Sequence, residues 1–137
     1  MHEKLMDIQN EFWRTYMALL RSDSERSYKT GVDAIIRKYR DGDMRCFCEG
    51  LKSSWEVVIY GDKDLKESHA DVSDIQKTVW DAYKDFASTR DMRKWNGDML
   101  VLAAKYRDAK DGNMLKFCKY LAITWMPVVT RIREGGA

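Results

Sequence analysis

The sequence repeats itself, and the repeat restricts the fold more than any other feature. Asp7-Ile8-Gln9, Trp13 and Tyr16 recur as Asp74-Ile75-Gln76, Trp80 and Tyr83, each pair separated by 67 residues. The same offset carries Arg26 onto Arg93, Tyr28 onto Trp95 and Lys38-Tyr39-Arg40-Asp41 onto Lys105-Tyr106-Arg107-Asp108. After a three-residue insertion the offset becomes 70, and Gly42, Met44, Phe47, Cys48, Leu51, Trp55 and Val58 meet Gly112, Met114, Phe117, Cys118, Leu121, Trp125 and Val128. Identities at rare residues such as Trp, Cys and Met point to tandem duplication rather than coincidence.

Each copy reads as three helices, because its apolar residues recur with the 3.6-residue period of one helix face. The first stripe is Leu5, Ile8, Phe12, Tyr16 and Leu19, matched by Val72, Ile75, Val79, Tyr83 and Phe86. The second is Tyr28, Val32, Ile35, Ile36 and Tyr39, matched by Trp95, Met99, Leu102, Ala103 and Tyr106. The third runs through Met44, Phe47, Cys48, Leu51, Trp55, Val58 and Ile59, and through Met114, Phe117, Cys118, Leu121, Trp125, Val128 and Val129. Ser22, Asp23 and Ser24 are suited to cap the second helix, Asp43 and Asn113 the third, with Gly42 and Gly112 ending the helix before. Pro127 falls inside the last helix, where it removes an amide donor to Ile123 and predicts a kink.

These features predict an all-α fold: a six-helix bundle with pseudo-two-fold symmetry built from a duplicated three-helix unit. The expected organisation is a single domain over 1–137, with repeat one at 3–60, a polar loop at 61–71 and repeat two at 72–133. A unit of fewer than about 60 residues buries too little surface to be comfortable alone, so the copies are expected to share a core. Domain swapping through 61–71 would turn a monomer into a homodimer.

Composition narrows the setting. The chain has no apolar run near the roughly 18 residues that span a bilayer, and its first ten residues are charged, so a cytoplasmic protein without membrane association is expected. Its three cysteines are an odd number, and Cys48 and Cys118 lie in apolar stripes, which fits free thiols in a reducing compartment.

The net charge of +2 is well below that of a dedicated nucleic-acid binder. It is uneven, however, since residues 72–137 carry 12 basic and 8 acidic side chains. The Lys-Tyr-Arg-Asp segments supply two candidate corners for an anion or a partner: Lys38, Arg40 and Arg45 in one, Lys105, Arg107, Lys110 and Lys116 in the other, with Arg37 and Lys119 nearby. Arg40 and Arg107 would offer planar paired donors, Lys38 and Lys105 plain charge, and Asp41 and Asp108 would orient the arginines. The same residues have a purely structural account, in which cations complement the C-terminal end of a helix and the tyrosines continue its apolar stripe.

Four of the five tryptophans lie on or beside predicted core stripes. Trp95 is followed by Asn96, Gly97 and Asp98, and is the residue expected to stand out as an exposed anchor for a partner. Catalysis and cofactors find no basis in the sequence. His2 and His69 sit apart from any ligand-spaced cysteine or carboxylate, no Gly-rich phosphate loop occurs, and Asp7 and Glu11 are matched by Asp74 and Thr78, which suits a solvated face. No enzyme, metal or cofactor is therefore expected. The leading expectation is a non-enzymatic module that binds another protein as adaptor or inhibitor, and the alternative is a binder of nucleic acid or another anionic ligand at the Lys-Tyr-Arg-Asp corners.

Overall fold

The computed structural model describes residues 2–61, 64–109 and 112–135. Among these it is all-α, with six helices and no strand: α1 (His2–Ser22), α2 (Glu25–Lys38), α3 (Arg45–Gly61), α4 (Leu65–Thr89), α5 (Met92–Lys105) and α6 (Gly112–Arg133). None of the described helices is long and apolar enough to cross a membrane. Packing divides the chain into two compact units, Met1–Lys52 and Ser53–Ala137, and the division falls inside α3.

The apolar stripes became the core. In the first unit Leu5, Ile8, Phe12, Tyr16 and Leu19 of α1 are buried with Tyr28, Val32 and Ile35 of α2 and Met44, Phe47, Cys48 and Leu51 beside them. In the second, Val72, Ile75, Val79, Tyr83 and Phe86 of α4 are buried with Trp95, Leu102 and the α6 stripe from Met114 to Val129. Trp125 sits at the centre of an aromatic cluster, 4.6 Å from Tyr83 and 6.0 Å from Trp80 between ring centroids. Such tilted pairs add to the hydrophobic gain of burying the rings. Burial pushes the Cys48 and Cys118 thiols up to about 12, so both remain neutral packing groups.

The turns from α1 to α2 and from α4 to α5 are built alike, although their sequences differ. Ser22 Oγ and Thr89 Oγ1 donate to the carbonyls of Ala18 and Asp85 and accept from the amides of Ser24 and Asp91. Asp23 and Arg90 then adopt the left-handed region, at φ 55° and 57°. Ser24 and Asp91 cap the next helix by accepting from the amides of Ser27 and Lys94.

Two expectations are corrected. The segment 61–71, expected as a loop, is mostly helix, because Asp64 caps α4 by accepting from the amide of Glu67, and no Gly or Pro interrupts the turns after it. Gly112 and Asn113 are not an end and a cap but the first residues of α6. Asn113 instead lies against Gly61 at the end of α3, where an added Cβ would come 2.7 Å from its amide nitrogen. Pro127 lies inside α6, which continues to Arg133, and the carbonyl it deprives belongs to the exposed Ile123.

Candidate functional site

The Lys-Tyr-Arg-Asp corners close the second helix of each pair, and their lysines, though exposed, reach a carboxylate of the preceding helix. Lys38 Nζ lies 3.1 Å from Glu11 Oε1, while the Tyr39 hydroxyl donates to Glu11 Oε2 at 3.2 Å. In the second unit Lys105 Nζ and the Tyr106 hydroxyl both bond Asp74 Oδ2, at 2.8 and 2.6 Å. Each ammonium also lies over its neighbouring tyrosine ring, 5.4 Å from the Tyr39 centroid and 5.7 Å from that of Tyr106. The carboxylates belong to α1 and α4, so each Lys-Tyr pair ties the end of the second helix of a pair back to the first.

These bonds set the protonation of their partners. The hydrogen bond from Lys105, and then that from Tyr106, hold the Asp74 carboxyl below its usual range. Burial, and then the bond to Asp74, raise the Tyr106 hydroxyl, which therefore stays a donor. The Lys38 ammonium is raised by its bond to Glu11.

The arginines stay outside. Arg40 and Arg107 are exposed in the turns after α2 and α5, with Arg40 Nε only 3.8 Å from Asp41 Oδ1. Arg45 opens α3 and donates to Glu49 at 3.2 Å. Lys116 is exposed on α6, and Lys110 lies outside the described residues. The lysines are as exposed as Arg40, and what sets them apart is a bond to a carboxylate on the preceding helix.

Trp95 is the clearest correction. It is 1% exposed and packs edge-on to Phe86, with ring centroids 6.4 Å apart. Its turn of α5 faces α4; Asn96 is exposed, while Asp98 lines the groove between α4 and α5. Its indole N–H is buried without a hydrogen-bond partner, and Trp95→Ala would damage the core instead of probing a surface.

The exposed apolar residues lie elsewhere. On α5, Leu100 and Val101 are 71% and 72% exposed, and on α6 Ile123 is 69% exposed, with Tyr120 and Met126 also exposed. Sequence reasoning missed them because it followed the dominant stripes, yet Tyr120, Ile123 and Met126 recur at three-residue spacing off the buried stripe, a signal visible in principle. All five lie in the second unit, as does Tyr60 at 45% exposure, while Met6, at 40%, is exposed in the first.

Each helix pair also holds a groove. That of α1 and α2 is about 270 Å³, lined by Arg14, Thr15, Ala18, Ser27 and Gly31 among others. That of α4 and α5 is about 470 Å³, lined by Asp81, Ala82, Asp85, Lys94, Asp98 and Val101 among others. Lys94 bridges the larger groove, 3.0 Å from Asp85 and 3.1 Å from Asp98.

No protein-family model, curated protein or solved structure matches this chain.

Proposed function

We propose that the chain is a non-enzymatic cytoplasmic interaction module, an adaptor or inhibitor, that arose by tandem duplication of a three-helix unit and binds another protein through its second copy. The observation that carries this reading is the exposure of Leu100, Val101 and Ile123, each about seven-tenths open to solvent on rigid helices. Large apolar side chains held in water cost free energy that burial in an interface recovers, at about 25 cal/mol per Å². The matching turns 67 residues apart support the duplication. The two lysines engaged by Glu11 and Asp74 weigh against the corners as anion sites.

The test is a pull-down from native lysate with nuclease, using the wild-type chain, Leu100→Glu with Val101→Glu, and Ile123→Glu, each checked for helicity. A stoichiometric protein partner lost from at least one folded variant supports the module. Retention by every surface variant, or recovery only of nucleic acid that dissociates at high salt, rejects it.

A further inference from the structure

Aligned by their buried stripes, α3 and α6 present the same outward face with opposite character. On α6 the exposed positions form one continuous line, Lys116, Lys119, Tyr120, Ile123, Met126, Pro127 and Arg131. At the spacing of an α-helix this line runs about 22 Å, apolar in its middle and basic at both ends. Among its described residues α6 has no acidic side chain. The corresponding face of α3 carries Cys46, Glu49, Gly50, Ser53, Glu56, Val57 and Gly61, of which Gly50, Glu56 and Val57 are partly buried. Gly50, Ser53 and Glu56 stand where α6 has Tyr120, Ile123 and Met126, so a helix in this register packs without large apolar side chains at those three positions.

We infer that this face of α6 is the docking surface for an amphipathic helix of a partner protein, apolar along most of its length and acidic at the end that meets Lys116 and Lys119. The inference rests on the interaction-module reading and names its partner's chemistry. A helix fits better than a strand, because α6 has no open backbone edge to hydrogen-bond an added strand, whereas two helices pack by interdigitating side chains at 8–10 Å, roughly. Charge sets the partner's sign at one end, where carboxylates would meet Lys116 and Lys119. A membrane surface fits less well. The wide apolar face of α6, from Met114 to Val129, is already buried in the core, leaving one narrow line for lipid.

The experiment is selection from a displayed library of helical peptides of about 16 residues, long enough to cover the line, with an apolar centre and randomised charges, against the full chain. Enriched peptides are then titrated against the wild type, Ile123→Glu, and Lys116→Glu with Lys119→Glu, at low and physiological salt. The expected result is enrichment of Asp and Glu at one peptide end, affinity at least tenfold lower for Ile123→Glu, and weaker binding at higher salt. Neutral or basic enrichment, no enrichment, binding to phosphatidylserine vesicles alone, or concentration-dependent self-association abolished by Ile123→Glu without peptide binding would each overturn the assignment. If lysate capture depends on Leu100 and Val101 but not on Ile123, Lys116 or Lys119, the module stands and the α6 assignment fails.

Discussion

The α1–α2 and α4–α5 pairs solve the same packing problem with different residues. Tyr28 and Trp95 occupy one register position and both are buried, and Lys38-Tyr39 and Lys105-Tyr106 both clamp a carboxylate on the preceding helix. Their carboxylates, however, are one turn apart in register: Glu11 aligns with Thr78, and Asp74 aligns with the exposed Asp7. The longer glutamate offers one oxygen to each donor, while the aspartate takes both on a single oxygen. What is kept is the link between helix ends, and the residue that provides it is exchangeable. The grooves differ in the opposite sense: where the first pair has Arg14, Ala18, Ser27 and Gly31, the second has Asp81, Asp85, Lys94 and Asp98. Gly31 lets α2 approach Thr15, where an added Cβ would lie 3.0 Å from its methyl. Ala82 in place of Thr15 makes room for the larger Asp98.

The strongest way to break the comparison is at its largest shared core position. Trp95→Ala is expected to cost about 3–5 kcal/mol by opening a cavity beside Phe86. Tyr28→Ala should cost less, since a smaller ring is removed, and chemical denaturation of the two variants measures the difference. Trp95→Phe should stay within about 1 kcal/mol of wild type, because the lost packing is offset by removal of an unpaired buried N–H.

The clamps carry a smaller share. Asp74→Asn is expected to cost about 1–2 kcal/mol at neutral pH by weakening two charge-assisted bonds, and Glu11→Gln about half as much because its bonds are longer. Asp74 also has a signature in acid. Its folded carboxyl titrates below the usual carboxylate value of about 3.9, so its stabilisation is present above that value and lost as pH falls through the folded one. The urea midpoint of the wild type should therefore fall more steeply below about pH 4 than that of Asp74→Asn. Parallel profiles would show that the Asp74 bonds do not persist in solution.

The smallest effect lies in the turns. Asp tolerates the left-handed region better than Arg does, so Arg90→Gly is expected to stabilise by up to about 1 kcal/mol and Asp23→Gly by less. Equal shifts in melting temperature would mean that the two turns are strained alike.

These turns also mark how far the sequence could be read. Ser22-Asp23-Ser24 and Thr89-Arg90-Asp91 share no residue at matched positions, so identity searching passes over them, although their hydroxyl and carboxylate oxygens make the same bonds. The Lys-Tyr-Arg-Asp segments are legible as helix ends, but the bonds their lysines make depend on Glu11 and Asp74, 27 and 31 residues away. Asp7 and Glu11 read as a solvated pair because the second copy has Asp74 and Thr78 at the matched positions.

The sequence by itself determined the helices and their buried faces, because a 3.6-residue apolar period leaves one arrangement that removes those side chains from water. The helical path through 65–71 was also written locally, in the Asp64 cap and the absence of helix breakers. Tertiary structure alone decided which way each borderline residue faces. Trp95 is buried because α4 brings Phe86 against it, and Leu100, Val101 and Ile123 are exposed because the packing of α4, α5 and α6 places no other helix over them. A residue's hydrophobicity states what its burial would gain, and only the neighbouring helices supply the surface that buries it.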